Sequence, residues 1–148
     1  KITPAGQAFQ YHFDARGSAI ALTNQTQQAV NSYSYDPFGT LANVSEQQTN
    51  PFKYVGQFGV FAEPYGLLFA SRRFYQTSQG RFLTKDLAQP TEGDPQTLNQ
   101  YIYALNNPIV LIDPSGLSGE RDGRIRFAST GTTDNQHNSI IDYNGWLY

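Results

Sequence analysis

Asp113 lies in the stretch Asp113-Pro114-Ser115-Gly116-Leu117, whose residue types suit two different roles. Asp at the first position, Pro at the second and Gly at the fourth are typical of a type I β-turn. The second role is self-cleavage, because carboxyl groups can hydrolyse a peptide bond in pairs. One ionised carboxylate activates water, and a protonated partner assists the amide. Asp113 offers the first carboxyl group of such a pair.

The chain repeats the same turn chemistry at two other places. The sequence DPFG occupies residues 36–39, and EPYG occupies residues 63–66. The local sequence alone therefore favours a simple turn at Asp113 over self-cleavage. A second signal is needed to distinguish this Asp from Asp36 and Glu63.

Composition excludes several classes of function. The 148 residues contain no Cys, carry a formal net charge of −2 and include 14% aromatic residues. Disulfides and thiolate metal sites are excluded, two His residues suggest no metal site, and no cofactor is expected. The absence of a basic block argues against nucleic acid as a partner, and no apolar run is long enough to span a bilayer. Because the chain starts at Lys1 and lacks Met, we expect a fragment, a processed product or a trimmed chain, and any export signal would have to lie upstream.

A repeated unit near the N-terminus predicts a mainly β fold. Residues 11–23 (YHFDARGSAIALT) align with residues 33–45 (YSYDPFGTLANVS) at an offset of 22. Alternating aromatic residues predict a strand, and Asp-x-x-Gly predicts the turn that reverses it. The polar stretch NQTQQAVNS between the units predicts a connection from one hairpin to the next. Such hairpins leave sheet edges unpaired, so we expect the chain to associate with further repeats or with another chain.

The pattern continues more loosely towards the C-terminus. It predicts a turn at 63–66, one strand over 67–75, a turn at 76–80 and a strand over 81–84. Residues 87–96 are predicted to form a loop, and LNQYIYALNNP (98–108) a short helix or strand. From Ser118 to Tyr148 the composition shifts to Gly, Asn, Asp, Ser and Thr, with one strand-like piece, RIRFAS. This shift predicts a functional boundary between Leu117 and Ser118.

Four ordered pieces of sequence resemble the repeat-associated core of Rhs (rearrangement hot spot) proteins, and the aromatic-x-aromatic-Asp-x-x-Gly units resemble their YD repeats. The pieces are NPFKYVGQ, YGLLFASRRFYQTSQGRFLTKD, NQYIYALNNP and IDPSGL. The resemblance divides the chain into YD-repeat hairpins (1–51), a core with an autocleavage motif (52–117) and a tail (118–148). The tail is either the start of a variable toxin region or a segment of the plug.

The resemblance implies a fold and an activity. Rhs and related Tc-toxin C proteins form a hollow, spiralling β-shell around a C-terminal cargo, closed by a core that acts as a plug. The core is an intramolecular aspartyl peptidase that cuts after the Leu of its DPxGL motif, which here is Leu117, before Ser118. The partners implied are the upstream shell, a toxin cargo, secretion-system components and an immunity protein, in a protein secreted or delivered by bacteria.

The resemblance also assigns roles to individual residues. The second carboxyl group of the family follows the GRFL strand, at the position of Asp86, where Leu87 replaces the usual Pro. A basic residue assists, which leaves Arg72 and Arg73 as candidates. Gly116 has no side chain and would let the backbone approach the carboxyl pair.

Other interpretations remain open on sequence alone. Asp86 could be a capping or loop acid, and Arg72 and Arg73 could form a solvated strand face or an ion pair with a neighbouring acid. The alternative function is a non-catalytic structural or adhesive β-repeat module of a bacterial surface protein.

Overall fold

The computed structural model describes residues 1–2, 6–87, 95–117 and 126–127, and within these ranges the fold is built from short antiparallel strands. This confirms the prediction of a mainly β fold. The strands are β1 (Gln10–Phe13), β2 (Ala19–Thr23), β3 (Ala29–Tyr35), β4 (Leu41–Glu46), β5 (Phe61–Glu63), β6 (Leu67–Ala70), β7 (Arg73–Gln76), β8 (Arg81–Phe82), β9 (Leu111–Ile112) and β10 (Arg126–Phe127).

The helical segments among these residues are single 3₁₀ turns. They are Gly56–Phe58, Pro64–Gly66, Thr77–Gln79, Pro95–Leu98 and Ala104–Asn106. Within the described ranges, none of them has the length and apolar character needed to cross a bilayer. The last of these turns is the element found in the stretch for which a short helix or strand was predicted.

The first sheet is a continuous meander in the order β1-β2-β3-β4. The stretch NQTQQAVNS is not a connection between separate hairpins, because it contains the turn from β2 to β3 and most of β3 itself. Gln27 occupies the position that Gly17 and Gly39 occupy in the other two turns, and all three residues have positive φ. This turn was missed because its left-handed residue is not Gly.

The second sheet has the order β5-β6-β7-β8, and its central hairpin corrects a prediction. Residues 67–75 form two strands, not one, with the reversal at Ser71 and Arg72 and a register that pairs Ala70 with Arg73. Ser71 adopts φ 54°, so no glycine marks the turn in the sequence. Because side chains alternate along a strand, this register turns Arg73 into the core together with Tyr75.

Aromatic side chains pack the core beneath the second sheet. Tyr75 lies with its ring centroid 4.2 Å from that of Tyr103 and 5.6 Å from that of Phe82. Hydrogen bonds connect this core to the first sheet, since Tyr75 Oη donates to the Phe38 carbonyl and Tyr54 Oη to the Pro37 carbonyl, both at 2.8 Å. The turn between β3 and β4 therefore rests on the second sheet.

The strand β9 leads directly into Asp113 and pairs with β10 through Ile112–Arg126 and Leu111–Phe127. A left-handed turn precedes it, with φ between 46° and 56° at Ala104, Leu105 and Asn106. The remaining predictions for the tail, including its role as toxin start or plug segment, lie outside the described residues.

Candidate active site

One oxygen of Asp113 forms the predicted turn. Its Oδ1 accepts hydrogen bonds from Leu117 N at 3.2 Å and from Ser115 Oγ at 3.0 Å. In the first sheet, Asp14 Oδ1 accepts from Ser18 N at 2.8 Å and Asp36 Oδ1 accepts from Thr40 N at 2.9 Å. The Asp113 turn thus repeats the side-chain-to-backbone pattern of the hairpin turns.

The other oxygen of Asp113 distinguishes it from the repeats. The residue is only 1% exposed, whereas Asp36 is exposed. Its Oδ2 lies 3.6 Å from Arg73 Nη2 and has no hydrogen-bond partner among the described residues. Asp113 also lines a cavity of about 10 Å³, at the lower limit of the space that one water molecule needs, together with Ala70 and Tyr103.

Arg73 joins the segments of the site. Its Nη2 lies 2.8 Å from Asp86 Oδ2, and the two side chains form a buried ion pair. Its Nε donates to the Gly116 carbonyl and its Nη1 to the Gln100 carbonyl at 3.1 Å. The guanidinium carbon lies 3.7 Å from the centroid of the Phe82 ring, a cation–π contact. Arg73 is 4% exposed, so each of these contacts is shielded from water.

Asp86 reaches the cluster from the segment that follows β8. Its backbone N donates to the Gln100 carbonyl at 2.9 Å, the same carbonyl that Arg73 contacts. The residue is 4% exposed. Because both carboxyl groups contact Arg73 Nη2, Asp86 Oδ2 and Asp113 Oδ2 are separated by no more than the sum of 2.8 and 3.6 Å.

Burial sets the electrostatics of this cluster. Burial raises the pKa of Asp113, against the opposing effects of the Ser115 hydroxyl, the Arg73 charge and the backbone N–H groups of Leu117 and Gly116. Burial lowers the pKa of Arg73, and Asp86 and Asp113 oppose that change. An arginine remains charged throughout the ordinary pH range. The cluster therefore combines a fixed cation with one carboxyl group that retains its proton to higher pH than usual.

Gly116 is where the backbone of the motif meets the second sheet. A Cβ at this position would lie 2.6 Å from the Ala70 carbonyl oxygen and 3.2 Å from Arg73 N. Its φ is 67°, which side chains also disfavour. The close approach of Gly116 is thus made to the β6–β7 hairpin, and its predicted approach to the carboxyl pair stays a prediction.

The structure brings Asp113, Asp86 and Arg73 together and leaves Arg72 exposed at the hairpin turn. Of the residues at the proposed cleavage site, Leu117 is half-buried, and Ser118 lies outside the described residues. Pro114 is buried, and its carbonyl accepts a hydrogen bond from Ser71 Oγ at 3.3 Å.

Sequence reasoning missed two contributors to the site, the Ser115 hydroxyl and the Gln100 carbonyl. Ser115 carries a weak signal, because Asp side chains in turns accept hydrogen bonds from the residue two positions on, although usually from its backbone. A backbone carbonyl has none. Among the described residues, no group of three His, Cys, Asp or Glu side chains is placed to bind a metal ion.

Comparison with known proteins places this chain in a family. A family profile described as Teneurin YD-shell matches residues 2–109. The chain is 34% identical over 109 residues to the tRNA nuclease WapA of Bacillus subtilis, and the alignment covers 72% of this chain and 5% of that protein. It is 32% identical over 117 residues to toxin subunit YenC1 of Yersinia entomophaga, covering 77% of this chain and 12% of that protein.

A crystal structure of TcdB2–TccC3 superimposes with a TM-score of 0.66 and 27% identity, over 76% of this chain and 5% of that one. The chain thus spans only a small part of the proteins that it matches. These similarities confirm the resemblance to Rhs and YD-repeat proteins, and the chain belongs to the Teneurin YD-shell family.

Proposed function

We propose that this part of a YD-shell cleaves its own chain between Leu117 and Ser118, as an intramolecular aspartyl peptidase that acts once. The observation that supports the proposal most is the buried cluster in which Arg73 lies between the carboxyl groups of Asp86 and Asp113. Buried charges are costly, and a cluster of this kind at a motif next to the proposed cut is a functional-site candidate.

The two carboxyl groups differ in a way that fits acid–base catalysis. Asp86, at 2.8 Å from the Arg73 guanidinium, is assigned as the carboxylate that takes a proton from water. Asp113, whose pKa is raised by burial, is assigned as the acid. Water oxygen attacks the Leu117 carbonyl carbon, the carbon–nitrogen bond breaks, and Asp113 gives its proton to the Ser118 nitrogen. The products are a carboxylate on Leu117 and an amine on Ser118.

The chain is also held on the near side of the proposed cut. Leu117 N donates to Asp113 Oδ1, and the Gly116 carbonyl accepts from Arg73 Nε. Both contacts restrain the residues immediately before the bond. Such restraint favours an intramolecular reaction, because the peptide and the carboxyl groups need no encounter.

The larger protein is proposed to be a toxin carrier. The named relatives include a tRNA nuclease and a toxin subunit. On this basis the chain adjoins an upstream YD shell and a C-terminal toxin cargo that the cut frees. The larger protein is proposed to be secreted or delivered by a bacterial secretion system. Its further partners are then components of that system and an immunity protein. The same proposal places the domain boundaries at 51/52 and 117/118.

Mass spectrometry of the purified 148-residue chain tests the cleavage. We expect fragments 1–117 and 118–148 from the wild type and intact chain from Asp113→Asn. Asn suits this turn, since Asn24 Oδ1 already accepts from Thr26 Oγ1 at 2.8 Å and from Gln28 N at 2.9 Å in the same arrangement. Asp36→Asn is the matched control, because it changes an equivalent turn away from Arg73, and it should cleave normally.

Intact wild-type chain after days at mildly acidic and neutral pH would contradict the cleavage. That outcome would favour the alternative, in which the Arg73 cluster only holds the turn against the second sheet and the chain is a structural module.

A further inference from the structure

The Ser115 hydroxyl bridges the turn oxygen of Asp113 and the residue at the proposed cut. Ser115 Oγ donates to Asp113 Oδ1 at 3.0 Å and accepts from Leu117 N at 3.3 Å. Leu117 N also reaches Oδ1 directly, at 3.2 Å. Two donors therefore converge on Oδ1, and an oxygen that accepts two hydrogen bonds is a poor place for the acid proton.

The first sheet provides the same arrangement without the cluster. Thr26 Oγ1 donates to Asn24 Oδ1 at 2.8 Å, and Gln28 N donates to the same oxygen at 2.9 Å. A hydroxyl two residues after an Asx residue thus stabilises a turn in this chain that has no proposed catalytic role. What sets Ser115 apart is that its acceptor belongs to a buried carboxyl group, whose second oxygen faces Arg73.

The remaining surroundings of Asp113 offer few charges. Arg73 approaches from β7 and Asp86 from the segment after β8. The other titratable groups that share the small cavity are the buried tyrosines 54, 75 and 103. Among these described groups, the tyrosines are neutral below strongly alkaline pH, because burial raises the pKa of each.

We infer that Ser115 is a positioning residue for the cleavage reaction, whose hydroxyl fixes Asp113 Oδ1 on the backbone of Leu117 and leaves Oδ2 to carry the transferable proton. The inference rests on the proposed self-cleavage. Ser115 touches neither the attacking water nor the bond that breaks in this assignment, and it acts through Asp113. The hydroxyl also opposes the effect of burial on the pKa of Asp113, so its removal raises that pKa further.

The experiment compares Ser115→Ala, Ser115→Thr and Thr26→Ala with the wild type. The cleavage rate is measured by mass spectrometry from mildly acidic to alkaline pH, and the urea midpoint of each variant is measured in parallel. We expect Ser115→Ala to lower the maximal rate by up to about tenfold, the scale of one lost hydrogen bond to a neutral carboxyl group. The decline of the cleavage rate at alkaline pH should move to higher pH in this variant, because Asp113 then retains its proton to higher pH.

Ser115→Thr should restore both the maximal cleavage rate and the pH at which that rate declines, since threonine keeps the hydroxyl. Thr26→Ala should lower the urea midpoint as Ser115→Ala does, with no change in rate or pH profile. Wild-type rate and pH profile in Ser115→Ala would overturn the inference while leaving the proposed function intact. Equal slowing by Thr26→Ala would also overturn it, because turn stability would then explain the effect. Absence of cleavage in the wild type would overturn the proposed function itself.

Discussion

Replacing Arg73 with Met should destabilise the fold far more than the same change at Arg72. Arg73 is 4% exposed and forms an ion pair with Asp86 at 2.8 Å and hydrogen bonds to two carbonyls. Removing one partner of a buried ion pair leaves the other charge uncompensated, which costs about 3–5 kcal/mol. Arg72 is exposed at a hairpin turn, and substitutions at such sites change stability by about 0.5 kcal/mol or less.

Urea denaturation of the 148-residue chain at neutral pH measures both effects, with the cut fraction of each sample determined by mass spectrometry. The single variant Asp86→Asn and the double variant Arg73→Met, Asp86→Asn complete a double-mutant cycle. The double variant should lose about 0.5–3 kcal/mol less unfolding free energy than the sum of the two single losses, because it removes the carboxylate together with the cation.

The reasoning about the cluster would be refuted if Arg73→Met lost no more stability than Arg72→Met. It would also be refuted if the double variant simply added the two single losses. Either result would mean that the Arg73 guanidinium and the Asp86 carboxylate do not interact in solution as the structure places them.

Three further predictions follow from single features of the fold. Gly116→Ala should abolish cleavage and destabilise the fold more than Gly59→Ala. Both glycines have positive φ, which costs a residue with a side chain about 1–2 kcal/mol. Only at Gly116 would the added Cβ also clash with the Ala70 carbonyl oxygen. Unfolding measurements at several pH values should show the wild type losing stability relative to Asp113→Asn as pH rises. The folded-state pKa of Asp113 is raised, so its contribution is complete below the unfolded-state pKa and is lost as pH rises through the folded-state value. Size-exclusion chromatography should show association, because β1 and β4 are edge strands of the first sheet; a compact, inert monomer would contradict this.

The repeated turn explains how much of the site could be predicted from sequence. Asp-x-x-Gly correctly predicted turns at Asp14, Asp36 and Asp113, because the pattern records a local hydrogen bond from backbone to carboxylate. The same locality is why the pattern could not separate Asp113 from the others. Its distinction lies in Oδ2, which reaches Arg73 across the fold. The two interpretations of Asp113 use different oxygens of one side chain, so the turn and the proposed chemistry are compatible.

Other features depended on backbone conformation that the residue types do not reveal. The turn at Ser71 has no Gly or Pro, and without it the strand register could not decide between Arg72 and Arg73. The assignment of Asp86 depended on a resemblance, because Asp86 is held beside Arg73 by a backbone hydrogen bond to Gln100, across a loop that local sequence patterns do not describe. The boundary between Leu117 and Ser118 stays a prediction.

Cleavage in water enriched in oxygen-18 tests the central claim most directly. If two carboxyl groups activate water at the bond after Leu117, the new fragment 1–117 should carry one heavy oxygen in its terminal carboxylate. The complementary fragment should begin at Ser118 without label, and neither fragment should form from Asp113→Asn. An uncut chain, a cut at another bond, or a terminal carboxylate without the label would contradict the account.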